Sequence, residues 1–410
     1  MNCLKILLCF VALATSVGCA THQMKVSVAR ANLVNGNYES AVKSLEPLAK
    51  TEDKDQLVYL FEYGTALQLA GDYKKSNEVF QRADKLSTIN DYHSISRITG
   101  SLLFNEGMVQ YKGEHYEKVL INAFSAINYL MLDELDEANV EARRLNEKLQ
   151  KYKNDAQLPY TQSPLARYLS AMIWESNGKF DDAYIDYEET YKLNPNIPLL
   201  REDLIRLAKK AKRQEALKKW EREFPEVTWR KEWDEKNYGE IVLVYQQGWG
   251  PVKRPNPQNF SFPMLFSSFS DTKHANLIVD NFPPSPTSEI YNISEVTIKT
   301  FNDQIGELIA KRMGAHVVKA VAADQIRQRN EGLGNLAYLV MRVADQADTR
   351  HWSTLPESFQ IARIRVPAGT YNVTTQGLTQ TNQPSGEFLP QTRVVVRPRK
   401  FSFVNWRSVK

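Results

Sequence analysis

At 410 residues the chain has room for two or three domains with ample cores. Its net charge of +4 with 24% charged residues is an ordinary balance, which gives no electrostatic ground for nucleic-acid binding. Seven tryptophans and 19 tyrosines suit aromatic-rich cores or binding surfaces.

The chain opens Met1-Asn-Cys-Leu-Lys5, runs apolar from Ile6 to Ala14 and reaches Ser16-Val17-Gly18-Cys19. One early lysine, a short apolar core and small residues before a cleavage point make a secretory signal over 1–18. The run is too short to span a bilayer as a mature helix. The residues before Cys19 resemble the bacterial lipobox, in which that cysteine is acylated, palmitate being one such chain, and becomes the first mature residue. Ser16 departs from the leucine-like residue of that pattern, and a plain signal releasing a soluble protein is the alternative. Residues 19–24 then form a lipidated tether. Cys3 and Cys9 leave with the signal, and Cys19 carries lipid, so no thiol remains for a disulfide, a metal or a nucleophile. Ala20 after the cysteine, where an aspartate favours the inner membrane, places the protein on the outer membrane facing the periplasm.

Beyond the tether, Gly36-x-Tyr38-x-x-Ala41 returns as Gly71-x-Tyr73-x-x-Ser76 and again as Gly178-x-Phe180-x-x-Ala183, the last copy ending at Pro195. A turn glycine, an aromatic two residues on and a small residue three further, at a period of about 34 residues, is the pattern of the tetratricopeptide repeat. Gly64 and Ala171 fill the early small position, and Phe80, Ala83 and Tyr187 the later packing positions. A degenerate copy runs through Ala126, Leu135, Ala138, Ala142 and Leu145, with Asp133 in place of the glycine. Residues 84–115 fit no copy. Leu199 to Phe224 reads as a polar closing helix, with a faint echo of the motif at Ala216 and Trp220. The expectation is a helical solenoid over 25–225, with an irregular helical bundle as the alternative. Stacked repeats present a curved surface, and such surfaces hold other proteins.

The composition changes over a linker at 226–240. Ile241-Val-Leu-Val-Tyr245 reads as a buried strand, and Gln246-Gln-Gly248-Trp249-Gly250-Pro251 as a turn. A proline-rich loop with Pro255, Pro257 and Pro263 follows, then a strand at Leu277–Val279 and a loop at Pro283, Pro284 and Pro286. An amphipathic helix from Asn302, with Ile305, Leu308, Ile309, Met313, His316 and Ala320 on one face, precedes a second helix at 336–347. Ile361–Val366, Thr370–Val373, Thr392–Val396 and Phe401–Trp406 complete a mostly antiparallel set. The second half, 241–410, is therefore expected to be an α+β domain with an antiparallel sheet, so that the whole chain is a helical solenoid followed by an α+β domain.

Four segments carry a resemblance: the lipobox at Cys19, Asn139-Val-Glu-Ala-Arg-Arg-Leu, Gly248-x-Gly250-Pro251-Val-Lys253, and Asp348-Thr-Arg350-His-Trp352-x-x-Leu355-Pro356 continuing to Val366-Pro-Ala-Gly369-x-Tyr371. In these the chain resembles a family of bacterial lipoproteins with tetratricopeptide repeats and an uncharacterised C-terminal domain. The resemblance implies architecture and a place in the cell envelope, and brings no activity with it. The helical half is also similar, in repeat fold and location only, to outer-membrane lipoproteins that activate peptidoglycan synthases.

Enzyme signatures are mostly absent: no Gly-x-Ser-x-Gly elbow, no phosphate-binding loop and no His-Glu-x-x-His helix occurs. The histidines show no ligand spacing, and no catalytic residue, metal site or cofactor is expected. The best candidate site is Asp348, Arg350, His351 and Trp352, four chemically able residues within five positions. The competing reading is that Asp348 and Arg350 pair to fix a loop while Trp352 plugs the core between helix and sheet. Trp249, flanked by glycines, is a binding anchor if exposed and core if buried. Arg393, Arg397, Arg399, Lys400, Arg407 and Lys410 occur with no acidic residue from Phe388 onwards, which reads as contact with anionic headgroups or cell-wall polymer, or as a solvated face of edge strands.

These features converge on a membrane-anchored adaptor or scaffold whose repeats hold an envelope protein. Cell-wall polymer is a further contact, and nucleic acid is not a partner. The alternatives are an envelope enzyme or ligand-binding protein with its site around Asp348–Trp352, and a structural subunit of a larger envelope machine.

Overall fold

The computed structural model describes residues 22–95, 110–155, 163–303 and 347–410, with isolated positions 306, 324, 327 and 328. Cys19 and most of the two helices expected between 302 and 347 lie outside the described residues.

Five helical hairpins follow one another among the described residues: α1 (His22–Val34) with α2 (Tyr38–Lys50), α3 (Gln56–Leu69) with α4 (Tyr73–Ile95), α5 (His115–Met131) with α6 (Leu135–Asp155), α7 (Pro164–Ser176) with α8 (Phe180–Leu193), and α9 (Leu199–Lys210) with α10 (Gln214–Glu223). One backbone bond closes every turn. Asn37 N donates to Asn32 O at 2.8 Å, Asp72 N to Leu67 O at 3.0 Å, and Glu134, Lys179 and Arg213 N to Tyr129, Trp174 and Ala208 O at 2.9 Å each. This closure needs one left-handed residue just past the first helix. Gly36, Gly71 and Gly178 supply it at φ +74°, +81° and +73°, Asp133 at +61° and Lys212 at +59°. Asp133 thus stands where the degenerate copy lacks its glycine. The stretch from Leu199 expected as one closing helix is a fifth hairpin, because Lys212 adopts the backbone that a glycine would have signalled.

The small residue at Gly64 lets paired helices touch. A Cβ added there would lie 2.6 Å from the Phe80 ring. Across the array the second helices keep polar outer faces, whereas α3 is buried from Gln56 to Gln68 and α5 from Tyr116 to Asn128. A helix covered on every side is packed between two layers. For these first helices the outer layer is α2, α4, α6, α8 and α10, and the inner layer is the second half of the chain.

A short 3-10 turn at Lys231–Trp233 leads into that half. Its strands are β1 (Tyr238–Gln247), β2 (Val252–Asn256), β3 (Asn259–Phe266), β4 (His274–Val279), β5 (Ser285–Pro286), β6 (Ser288–Asn292), β7 (Ser358–Pro367), β8 (Gly369–Leu378), β9 (Thr392–Val396) and β10 (Phe401–Arg407), with helical backbone at 293–303. The antiparallel set forms two four-stranded sheets, β10-β1-β7-β6 and β5-β4-β8-β9, in which β1 and β10 run parallel. The proline-rich stretch read as a loop is a two-stranded ribbon, β2 with β3, in which Pro255 faces Pro263. An isolated ribbon tolerates proline because its outer edge needs no donor.

Alternation along the first sheet builds two cores at once. Ile241, Leu243, Tyr245, Ile364 and Trp406 face the second sheet and meet Leu277, Val279, Val373 and Val396. Val242, Val244, Phe359, Ile361 and Phe401 face the other way and join the solenoid core. β1 is buried from Gly239 through Gln247, as a strand covered on both faces must be.

Candidate functional site

The inner face of the solenoid is the surface on which such arrays hold partners. Here the chain fills it with its own segment, 348–354. The Trp352 indole stacks on Phe61 at 4.8 Å between centroids and meets Phe124 at 4.9 Å and Phe80 at 5.5 Å. Its ring nitrogen donates to the Thr65 hydroxyl at 2.9 Å. The side chain is 1% exposed. Three acids on α3, α5 and the turn before α3 receive the donors of the segment. Trp352 N donates to Glu117, Ser353 N to Glu62 at 2.7 Å, and Arg350 to Asp55 at 2.9 Å. Arg350 also pairs with Asp348 at 2.6 Å and lies over the Tyr111 ring at 5.0 Å.

Electrostatics follow from burial. Desolvation, with Glu114 nearby, pushes the Glu117 carboxyl up to about 7, and desolvation also raises Glu62. Burial alone would raise Asp348, but the Arg350 hydrogen bonds and charge outweigh it and hold the carboxyl below its ordinary value. Burial lowers His351 to about 4, and its Nδ1 lies 2.9 Å from Thr349 O. Burial, with the charges of His351 and Arg350, lowers His22 to about 3.

A second buried cluster joins α7 and α9 to the sheet. Arg363 on β7 contacts Asp203 at 2.8 Å, the Tyr168 hydroxyl at 3.0 Å and Glu240 on β1, while Arg206 pairs with Asp203 and Glu175. Desolvation raises Asp203 to about 6. At Glu240 burial opposes ionisation, yet Arg363 and Arg206 bring the carboxyl down to about 2. Between the two clusters, Gln246 Nε2 donates to Gln68 Oε1 at 2.7 Å, and Gln68 reaches Asn128 at 2.7 Å.

The structure thus brings Asp348, Arg350, His351 and Trp352 together, paired and buried against helices. Trp249 belongs to another contact. It is 7% exposed, lies between the Arg30 and Arg407 guanidinium groups at 4.8 and 4.9 Å, and donates to Val409 O at 2.9 Å. The basic tail divides. Arg407 is buried and donates to Gly248 O at 3.1 Å, Lys400 bonds Ser176 O at 2.9 Å, and Arg397 pairs with Asp133 at 2.7 Å. Among the described residues no cluster of histidine, cysteine, aspartate and glutamate could hold a metal, and no helix is long and apolar enough to cross a membrane.

The acids Asp55, Glu62, Glu117 and Asp203 were not visible as interface residues from spacing. Their signal was an acid inside an apolar helix, as Glu62 is within Leu57-Val-Tyr-Leu-Phe-Glu-Tyr63. A buried acid requires a partner. The repeats locate the helix, but they do not say that the partner lies in the same chain.

No protein-family model matches the sequence. No curated protein matches it. Solved structures with likeness to the chain include a MamA protein, 13% identical, with a TM-score of 0.33 over 51% of this chain and 96% of the other. Another is MamA from Desulfovibrio magneticus RS-1, 16% identical, with a TM-score of 0.32 over 50% of this chain and 91% of the other. A third contains kinesin light chain TPR-like repeats of Podosopora anserina, 16% identical, with a TM-score of 0.33 over 50% and 94%. At this level of similarity the repeat architecture rests on the five hairpins of the chain itself.

Proposed function

We infer that this chain is a lipid-anchored scaffold of the bacterial envelope, moored to the outer membrane through Cys19 on its periplasmic side. Its repeat array closes over its own C-terminal sandwich, and the composite body offers its remaining surfaces to envelope proteins. The observation that supports this most is the insertion of Trp352 among Phe61, Phe80 and Phe124. It joins the two halves in one hydrophobic core and moves the partner site away from the groove. A catalytic or ligand site at Asp348–Trp352 would require this segment to leave the solenoid, breaking the contacts to Asp55, Glu62 and Glu117 together.

Mass spectrometry of the full chain isolated from membranes tests the anchor, with acylated Cys19 expected as the first residue and an unmodified residue contradicting it. Photo-crosslinkers placed in the full chain in cells test the scaffold. Ile185 on the outer helix α8 is 41% exposed and is expected to capture envelope proteins, whereas Thr65 in the filled groove is not. Capture from Thr65 alone would reverse the reading.

A further inference from the structure

With the groove occupied, a partner needs another recognition surface, and an open strand edge provides one. β10 ends the first sheet and β9 ends the second. They meet at one corner of the sandwich, where a cleft of about 400 Å³ opens between them and the solenoid, lined by Leu130, Met131, Arg393, Val395, Arg397 and Phe403 among others. Glu240 N donates to Lys400 O, and Ser408 N donates to Gln246 O. The even-numbered main-chain groups of β10 therefore serve β1, and those of Phe401, Phe403 and Asn405 turn toward the open edge. The first of these already draws a partner there, Phe401 N donating to the Ser176 hydroxyl at 3.2 Å. On the facing edge Val395 O accepts from the Ser402 hydroxyl at 2.9 Å.

The walls differ in chemistry. Leu130, Met131 and Phe403 form an apolar side toward the solenoid. Arg393 makes the other side basic, while Arg397 and Lys400 already reach Asp133 and Ser176 on the solenoid. A strand added to β10 would alternate its side chains between these walls.

We propose that the free edge of β10 receives an extended segment of a partner protein, with apolar and acidic residues in alternation, as an additional strand. The main-chain groups of Phe403 and Asn405 supply the ladder, and Arg393 supplies the preference for acid. This deepens the scaffold reading, on which it rests for the existence of a protein partner. An anionic membrane would engage the arginines but leave the ladder groups without a strand.

The test uses the full mature chain and two fluorescein-labelled decapeptides, one alternating valine with glutamate and one alternating valine with lysine, read by fluorescence anisotropy. The acidic peptide is expected to bind at least about tenfold more tightly than the basic one. Phe403→Pro deletes a main-chain donor that faces the cleft and leaves the β1 ladder intact, so it is expected to weaken binding about tenfold. Phe403→Ala, which keeps the donor, is expected to weaken it less than about threefold. Arg393→Glu is expected to lower affinity and flatten its salt dependence while the melting temperature holds. Equal losses for Phe403→Pro and Phe403→Ala, equal binding of the two peptides, or phosphatidylglycerol vesicles binding in a way that Phe403→Pro leaves unchanged would each overturn the proposal. If crosslinks from Ile185 still capture envelope proteins in that case, the scaffold reading stands and the site alone falls. If mass spectrometry finds Cys19 unmodified while the acidic peptide still binds, the site stands and the anchor falls.

Discussion

The indole nitrogen of Trp352 donates to the hydroxyl of Thr65 at 2.9 Å, joining residues 287 positions apart. That bond sits at the centre of a ring of phenylalanines and ties the loop before β7 to the second hairpin. It makes the solenoid and the sandwich parts of one hydrophobic core.

Trp352→Ala is expected to cost about 3–5 kcal/mol, the range for emptying a large buried aromatic site. Trp352→Phe keeps the stacking and loses the hydrogen bond, so its cost is expected near 1 kcal/mol beyond the change of shape. Urea unfolding followed by circular dichroism checks both. Because the core is shared, the wild type should unfold in one transition, and Trp352→Ala should separate the helical signal from the sheet signal.

Two turn and packing positions give opposite signs. Gly64→Ala places a methyl 2.6 Å from the Phe80 ring and is expected to destabilise by about 1–3 kcal/mol. Lys212 holds φ +59° in an exposed turn, so Lys212→Gly is expected to stabilise by about 0.5–1 kcal/mol. Melting temperatures of the two variants moving in the same direction would contradict the hairpin geometry.

His351 makes stability depend on pH. Its folded value is lowered to about 4, below the ~6.5 of an unfolded histidine, so the unfolded chain takes up the proton first as pH falls. The stability from this group is complete above ~6.5 and is lost as pH falls from there toward 4, at about 1.4 kcal/mol per unit. His351→Gln takes up no proton. Its deficit against wild type should therefore shrink by about 2 kcal/mol between pH 7 and pH 5, read from paired denaturant midpoints. A deficit that stays constant across that range would show the ring to be solvated.

Arg363→Met removes the one guanidinium that contacts both Asp203 and Glu240, leaving Arg206 beside Asp203, and is expected to cost about 3–5 kcal/mol. Adding Asp203→Asn removes one of the two carboxylates that lost a cation and should restore at least about 1 kcal/mol. A double-mutant cycle on the full chain measures this coupling. Strict additivity would place the two groups in separate environments.

The hairpins were readable because their signals are local. Gly36, Gly71 and Gly178 each mark a turn within one stretch of chain, and apolar spacing marks the helices on either side. The fifth hairpin was hidden because Lys212 adopts a glycine backbone without being glycine. The ribbon was hidden because Pro255 and Pro263 read as breakers, which they are everywhere except opposite one another on an open edge. Strands β1, β7, β9 and β10 were legible from alternation and apolar runs, but their distribution over two sheets was not, since pairing depends on partners far along the chain.

By itself the sequence determined the elements: paired helices with left-handed turns, then short strands, and a cluster at Asp348–Trp352 able either to bind or to pack. The tertiary structure decided which of those the cluster does. Burial of Trp352 depends on Phe61, Phe80 and Phe124, and Arg350 pairs across the interface with Asp55, all supplied by the helical half more than two hundred residues earlier. No local pattern encodes such distant contacts, because the free energy that fixes them comes from water excluded between surfaces that meet only once the chain has folded.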